Sequence, residues 1–149
     1  MVTTSGLFEH IFVLFVLYHF LYSDSEKDAN GSGFFLVDPV LKYGKFDERL
    51  PLDCIACQTV LAKNLGPFNE WEGRLQIAKE TGYNMLHFTP IQELGLSNSA
   101  YCLKDQLKLN PVFNNSISRK VYDISDIEKL VNHMQTEWDI LSLTDLVFN

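Results

Sequence analysis

A chain of 149 residues, 46% hydrophobic and 21% charged, carries enough apolar side chain for one packed domain and too much to be disordered throughout. Its net charge of −7 and pI near 4.9 argue against a nucleic-acid binder, because phosphate neutralisation needs clustered Lys and Arg and none occurs. Three cysteines, Cys54, Cys57 and Cys102, are odd in number and too few for a disulfide scaffold, which points to a reducing compartment, the cytosol by default.

Leu7 to Tyr22 is strongly apolar, with Ile11 to Tyr22 reading IFVLFVLYHFLY. Crossing a bilayer takes about 20 apolar residues, and this run is shorter, carries His19 and has Glu9 and His10 at its start. A membrane span is therefore not expected. A signal peptide fits the length, but no Lys or Arg precedes the run and Ser23-Asp24-Ser25 is a poor cleavage site. The run reads as an atypical extension, with a signal or anchor segment as the alternative. Ser23 to Ser32 (SDSEKDANGS) reads as a polar linker containing an Asn-Gly turn, which sets residues 1–32 apart from a domain over residues 33–149. The glycosylation triplets at Asn30 and Asn114 matter only in a secreted chain.

Phe34 to Val37 is a short β-prone run ended by Asp38-Pro39, after which Lys42 to Lys45 turns the chain. Cys54 to Leu61 (CIACQTVL) is a nearly continuous apolar run of strand length, which predicts a strand covered on both faces. The Cys54-Cys57 spacing suits a redox or zinc site, but no second pair of ligands accompanies it, so both thiols are read as buried strand residues. After the Leu65-Gly66-Pro67 break, Asn69 and Glu72 have capping-box spacing for a helix running to about Thr81. Trp71, Leu75 and Ala78 share one face of it, and Gly82 stops it. Tyr83 to Thr89 (YNMLHFT) is a second strand, closed by Pro90, and completes a right-handed βαβ unit.

Between Ile91 and Asp123 no period is sustained, and a loop this long after a strand's carboxyl end suggests function. A second helix is expected from Ser125 as N-cap with Glu128 three residues on, its apolar face made by Ile127, Leu130, Val131, Met134 and Trp138. Ile140 to Phe148 follows as a third strand, parallel to the other two. Its end, TDLVFN, lies where parallel α/β sheets place function.

These residues resemble the α-amylase superfamily of glycoside hydrolases and, within it, the 4-α-glucanotransferase domains of eukaryotic glycogen debranching enzymes. The likeness runs through Gly33 to Pro39 (GFFLVDP), Leu50 to Cys54 (LPLDC), Leu61 to Phe68 (LAKNLGPF), Glu70-Trp71 and Gly82 to Pro90 (GYNMLHFTP), and extends to Asn149. Residues 1–32 do not share it. Asp145 to Asn149 (DLVFN) resembles the superfamily's D-x-V-x-N-H motif at the carboxyl end of barrel strand 3. Tyr101 to Pro111 resembles the Y-D-x-x-D-Y-x-x-I-D-P loop; Tyr101, Asp105 and Pro111 fit it, while Cys102, Gln106 and Asn110 depart.

The resemblance implies an α/β chain forming an incomplete (β/α)8 TIM barrel, its first three parallel strands preceded by a short β segment. It implies retaining transfer of α-1,4-glucan near α-1,6 branch points, with glycogen or a similar glucan as partner, no cofactor and a cytoplasmic setting. The reacting carboxylates of the family follow strands 4, 5 and 7, so no catalytic residue is expected within residues 33–149. The chain is then expected to be part of a much larger enzyme and inactive alone. The substrate-binding candidates are Tyr101, as a ring on which sugar stacks, and Asp145 and Asn149, as supports of the sugar wall. Asn149 in calcium-binding members helps ligate the ion, but a single Asn makes no metal site. His87 reads as a core histidine with a satisfied hydrogen bond, His133 as a solvated helix residue, and Trp71 and Trp138 as packing residues. Gln92 and Glu93 fall on the presumed active-site face. The rival reading is a non-catalytic glucan-binding or membrane-anchored protein.

Overall fold

The structure is a computed structural model and describes residues 16–22, 31–37, 39–115, 117 and 119–148. In chain order the strands are β1 (Val16–Tyr22), β2 (Gly31–Val37), β3 (Leu41–Tyr43), β4 (Glu48–Leu50) and β5 (Cys57–Val60). Helix α1 (Trp71–Glu80) then leads to β6 (Met85–Phe88), β7 (Gln92–Leu94) and β8 (Leu103–Leu109), and α2 (Ile124–Glu137) leads to β9 (Leu141–Thr144). The result is a mixed α/β architecture: a parallel sheet of order β5-β6-β9 and three antiparallel pairs, β1-β2, β3-β4 and β7-β8.

The parallel register is continuous across the sheet. Thr59 pairs with His87 and His87 with Leu143, one rung; Val60, Phe88 and Thr144 make the next. Side chains alternate between faces along a strand, so Leu86 and Phe88 turn to the helices while Met85 and His87 turn away. The helix-facing side holds the core, where Trp71, Leu75, Ala78, Leu86, Phe88, Phe113, Leu130, Met134 and Ile140 pack together. Trp71 is its centre: its ring lies parallel to that of Phe88 at 6.2 Å, edge-on to Phe113 at 4.7 Å and 5.1 Å from Phe68. Its indole N–H donates to the Gly66 carbonyl at 2.9 Å, so a large apolar ring is buried with no polar atom unpaired. Burial of one such side chain contributes roughly 1.5–3 kcal/mol.

The βαβ-loop-αβ order and the three parallel strands match expectation, as do the buried face of Trp71, Leu75 and Ala78 and the left-handed Gly82 at φ +86°. Several local expectations are corrected. Helix α1 has no Asn69/Glu72 capping box; residues Phe68–Glu70 form a 3-10 turn that runs into it, and Asn69 accepts a hydrogen bond from Asn115 instead. Helix α2 is capped two residues earlier than Ser125. The Asp123 carboxylate accepts from the Ser125 N–H at 2.8 Å, and the Asp126 side chain accepts in return from the Asp123 N–H at 3.2 Å. A charged acceptor at the positive end of a helix outcompetes a neutral hydroxyl two residues inside it. The Ser125 hydroxyl and then its backbone N–H hold the Asp123 carboxyl below its usual pKa.

The stretch expected to be a long loop contains the β7-β8 hairpin and a 3-10 turn, Pro111–Phe113, whose Phe113 is buried in the core. Its seven-residue β8 reads LKDQLKL, an alternation too charged to register as a strand when β partners are unknown. Strand β5 is not covered on both faces: Cys57 and Thr59 are exposed, because among the described residues the helices pack on the other face of the sheet. Cys54 and Cys57 are accordingly exposed free thiols, not buried strand residues.

The apolar run at the amino end supplies β1, which pairs with all of β2 from Val16↔Val37 to Tyr22↔Gly31. Strand β2 thus begins at Gly31, inside the expected linker; residues 23–30 and 11–15 lie outside the described residues, as does Asn30. Gly33 lets the exposed Phe20 ring lie over the pair; a Cβ there would meet that ring at 2.6 Å and the ring would swing aside. Gly44, at φ +75°, lets the β3-β4 turn dock on the end of α2: its N–H donates to the Gln135 carbonyl at 2.9 Å, and Lys45 pairs with Glu137 at 2.8 Å. Among the described residues no helix is long and apolar enough to cross a membrane.

Candidate functional site

The carboxyl ends of β5, β6 and β9 lie together, and three loops leave from them. Thr89, just past β6, is buried and accepts the Ala62 N–H at 3.0 Å, tying the exit of β6 to that of β5. Thr144 donates to the Phe88 carbonyl at 3.1 Å and ties β9 to β6 in the same way. At the opposite ends Asn84 clamps the strand entries, accepting from the Ala56 N–H and donating to the Cys54 carbonyl, both at 2.8 Å. The register is therefore fixed at both ends of a short sheet.

On the face away from the helices, a polar chain rises from the sheet to the loops. Thr59 Oγ1 lies 3.2 Å from His87 Nδ1, and His87 Nε2 lies 3.0 Å from Asp145 Oδ2. The Asp145 carboxylate also accepts a hydrogen bond from the Tyr101 hydroxyl, and this bond raises the Tyr101 pKa above the ordinary phenol value. The His87 side chain is 16% exposed and that of Asp145 40%, while Tyr101 is half exposed. Two of the three candidate residues, Tyr101 and Asp145, are thus brought into contact from separate loops. The third, Asn149, lies outside the described residues.

The hairpin that carries Tyr101 is anchored to the strand ends. Gln106 donates from its amide to the Val147 carbonyl at 3.0 Å, and Lys63 to the Asn98 carbonyl at 2.6 Å. Asp105 accepts the Leu107 N–H at 2.9 Å and pairs with Lys108 at 3.1 Å; the backbone bond first, then Lys108, holds its carboxyl below the usual range. Asn110 accepts the Val112 N–H at 3.1 Å and caps the 3-10 turn. Gln106 and Asn110, which depart from the superfamily loop, therefore have local structural work of their own. Glu93 pairs with Lys104 across the hairpin, and Gln92 Oε1 is buried with no hydrogen-bond partner among the described residues.

His87 is hydrogen-bonded as expected but is not a core residue: it lies on the face away from the helices, and its partner is the candidate sugar-wall Asp145, which residue types alone do not indicate. Strand parity carried the signal: Thr59, His87 and Leu143 share a rung, and Asp145 stands two residues beyond Leu143 on the same face. His133, on α2, is less solvated than expected, with Nε2 3.6 Å from Glu72 and its ring edge-on to Trp138 at 5.3 Å. Trp138 is half-buried against the core. Among the described residues no cluster of three or more His, Cys, Asp or Glu could hold a metal ion.

Two comparisons bear on this arrangement. The family model for the glucanotransferase domain of glycogen debranching enzyme matches residues 48–149. The glycogen debranching enzyme of Saccharomyces cerevisiae (strain ATCC 204508 / S288c) is 39% identical over 128 residues, which cover 85% of this chain and 8% of the yeast protein. The chain spans less than a tenth of the curated relative that it matches.

Proposed function

The chain belongs to the glucanotransferase-domain family of glycogen debranching enzymes, and we propose that residues 33–149 are the opening part of that domain's (β/α)8 barrel. Strands β5, β6 and β9 are then barrel strands 1 to 3, and the β1-β2 pair precedes them. The whole enzyme is a cytoplasmic 4-α-glucanotransferase that moves α-1,4-linked segments near the α-1,6 branch points of glycogen by a retaining route through a glycosyl-enzyme intermediate. It needs no cofactor.

Within this part, Tyr101 and Asp145 make one wall of the sugar cleft, and Asn149 is assigned to sugar binding by its place in the DLVFN motif alone. Tyr101 offers its ring to a pyranose face, and Asp145, held by donors on two sides, keeps lone pairs for sugar hydroxyls. The reacting carboxylates follow barrel strands 4, 5 and 7, outside these residues. The observation that supports the reading best is the place of Asp145, just past the carboxyl end of β9, where parallel barrels bind their ligands, with its carboxylate 3.0 Å from His87 Nε2.

The test uses the pure 149-residue chain with maltooligosaccharides. The expected outcome is measurable binding, weakened about tenfold by Tyr101→Ala, with no change in the distribution of chain lengths on prolonged incubation. Transfer of maltosyl or maltotriosyl units by the pure chain would contradict the placement of the reacting groups. Equal affinity of Tyr101→Ala would remove Tyr101 from the wall.

A further inference from the structure

We propose that His87 is a positioning residue: keyed by Thr59 below it, the imidazole fixes the Asp145 carboxylate at the strand ends and, through it, the Tyr101 ring. The inference rests on the sugar-wall reading of Asp145 and Tyr101 and adds to it the residues that hold that wall in place.

The geometry leaves His87 little choice of role. Thr59 and His87 are register partners, and so are His87 and Leu143. Asp145 stands two residues beyond Leu143, just past the end of β9. A side chain at position 87 that touches both Thr59 and Asp145 therefore needs two polar atoms, one facing its own rung and one facing the strand ends. An imidazole does this, with Nδ1 3.2 Å from Thr59 Oγ1 and Nε2 3.0 Å from Asp145 Oδ2.

The chemistry of the two partners then sets the ring's proton. An ionised carboxylate only accepts, so Nε2 carries a hydrogen and donates it to Asp145; in the neutral ring Nδ1 is left as an acceptor for the Thr59 hydroxyl. A hydrogen bond at one ring nitrogen selects the tautomer that the other nitrogen presents. Asp145 consequently has N–H on one side from the sheet and O–H on the other from Tyr101. The two bonds hold the carboxylate from opposite sides. His87 belongs to the sheet and Tyr101 to the hairpin, so the carboxylate is the joint through which the ordered sheet sets the loop. The apolar core does not need this arrangement, since it lies on the other face of the same strand.

The experiment combines ring-nitrogen NMR with sugar binding on the full chain. Nitrogen-15 spectra of the histidine side chains, taken at a pH where the ring is neutral, should show His87 as the Nε2–H tautomer, and Asp145→Asn should shift its ring signals while those of His133 stay in place. Maltoheptaose affinity should fall about tenfold or more in His87→Phe, which keeps ring volume and loses the donor. It should recover to within about threefold in His87→Gln, whose amide N–H donates again. An Nδ1–H tautomer, ring signals insensitive to Asp145→Asn, or equal affinities of His87→Phe and wild type would overturn the proposal. If wild type binds no maltoheptaose, the sugar-wall reading fails, and the ring-nitrogen arm still decides whether His87 holds Asp145.

Discussion

The two faces of one short parallel sheet differ in almost every physical respect. Leu86 and Leu143 illustrate the contrast: they lie on adjacent strands, one residue apart in register, yet Leu86 is fully buried against the helices and Leu143 is half exposed on the other side. The helix face is apolar, closely packed and completed by Phe113 from beyond the hairpin. The opposite face is a hydrogen-bonded chain, Thr59 to His87 to Asp145 to Tyr101, that leads from the sheet to the loops. The helix face supplies the stability that lets the other face carry polar groups in fixed positions. The difference also separates what a substitution should do on each side.

The largest expected effect is Trp71→Ala. It removes the ring around which Phe68, Phe88 and Phe113 pack, and should cost about 3–5 kcal/mol in a denaturant titration. Leu86→Ala comes next, at about 2–5 kcal/mol, and Leu143→Ala in the same assay should cost under about 1 kcal/mol. Similar losses for the two leucines would mean that the faces are not distinct in the way the burial implies. The smallest effect is Asp123→Ala, which removes the carboxylate cap of α2. The Asp123 pKa is lowered in the folded chain, so its stabilisation is present above the unfolded value of about 3.9 and is lost as pH falls through the lower folded value. Between neutral pH and about 4 the variant should be uniformly less stable than wild type, and the gap should close at lower pH. A gap that persists unchanged at low pH would show that the cap does not act through its charge.

The same contrast governs what was legible in the sequence. The helix face announced itself through periodicity, since Trp71, Leu75 and Ala78 repeat at helical spacing and Leu130 and Met134 do likewise on α2. Parallel order followed from the alternation of strand and helix. The boundaries were less accurate because caps compete locally: Asp123 against Ser125, and a 3-10 turn against the Asn69 box. Exposed strands were read least well. CIACQTVL looks like a strand covered on both sides only if a layer on each face is assumed, and among the described residues the Cys57 and Thr59 face of β5 is exposed. In the candidate site, Tyr101 and Asp145 came from a resemblance to known motifs, whereas His87 and Thr59 needed the strand register, which residue types alone do not fix. Gln106 departs from the superfamily loop, and its bond to the Val147 carbonyl depends on the placement of the hairpin, which residue type does not fix.

The most direct measurement is a residue-resolved NMR titration of the 149-residue chain with maltoheptaose. Saturable shifts confined to Tyr101, Asp145, His87 and their neighbours, with Trp71 and Met134 unmoved, are the expected result. Shifts centred on the helix side, or no saturable shift at Tyr101 and Asp145, would contradict the assignment of the polar face as the sugar wall.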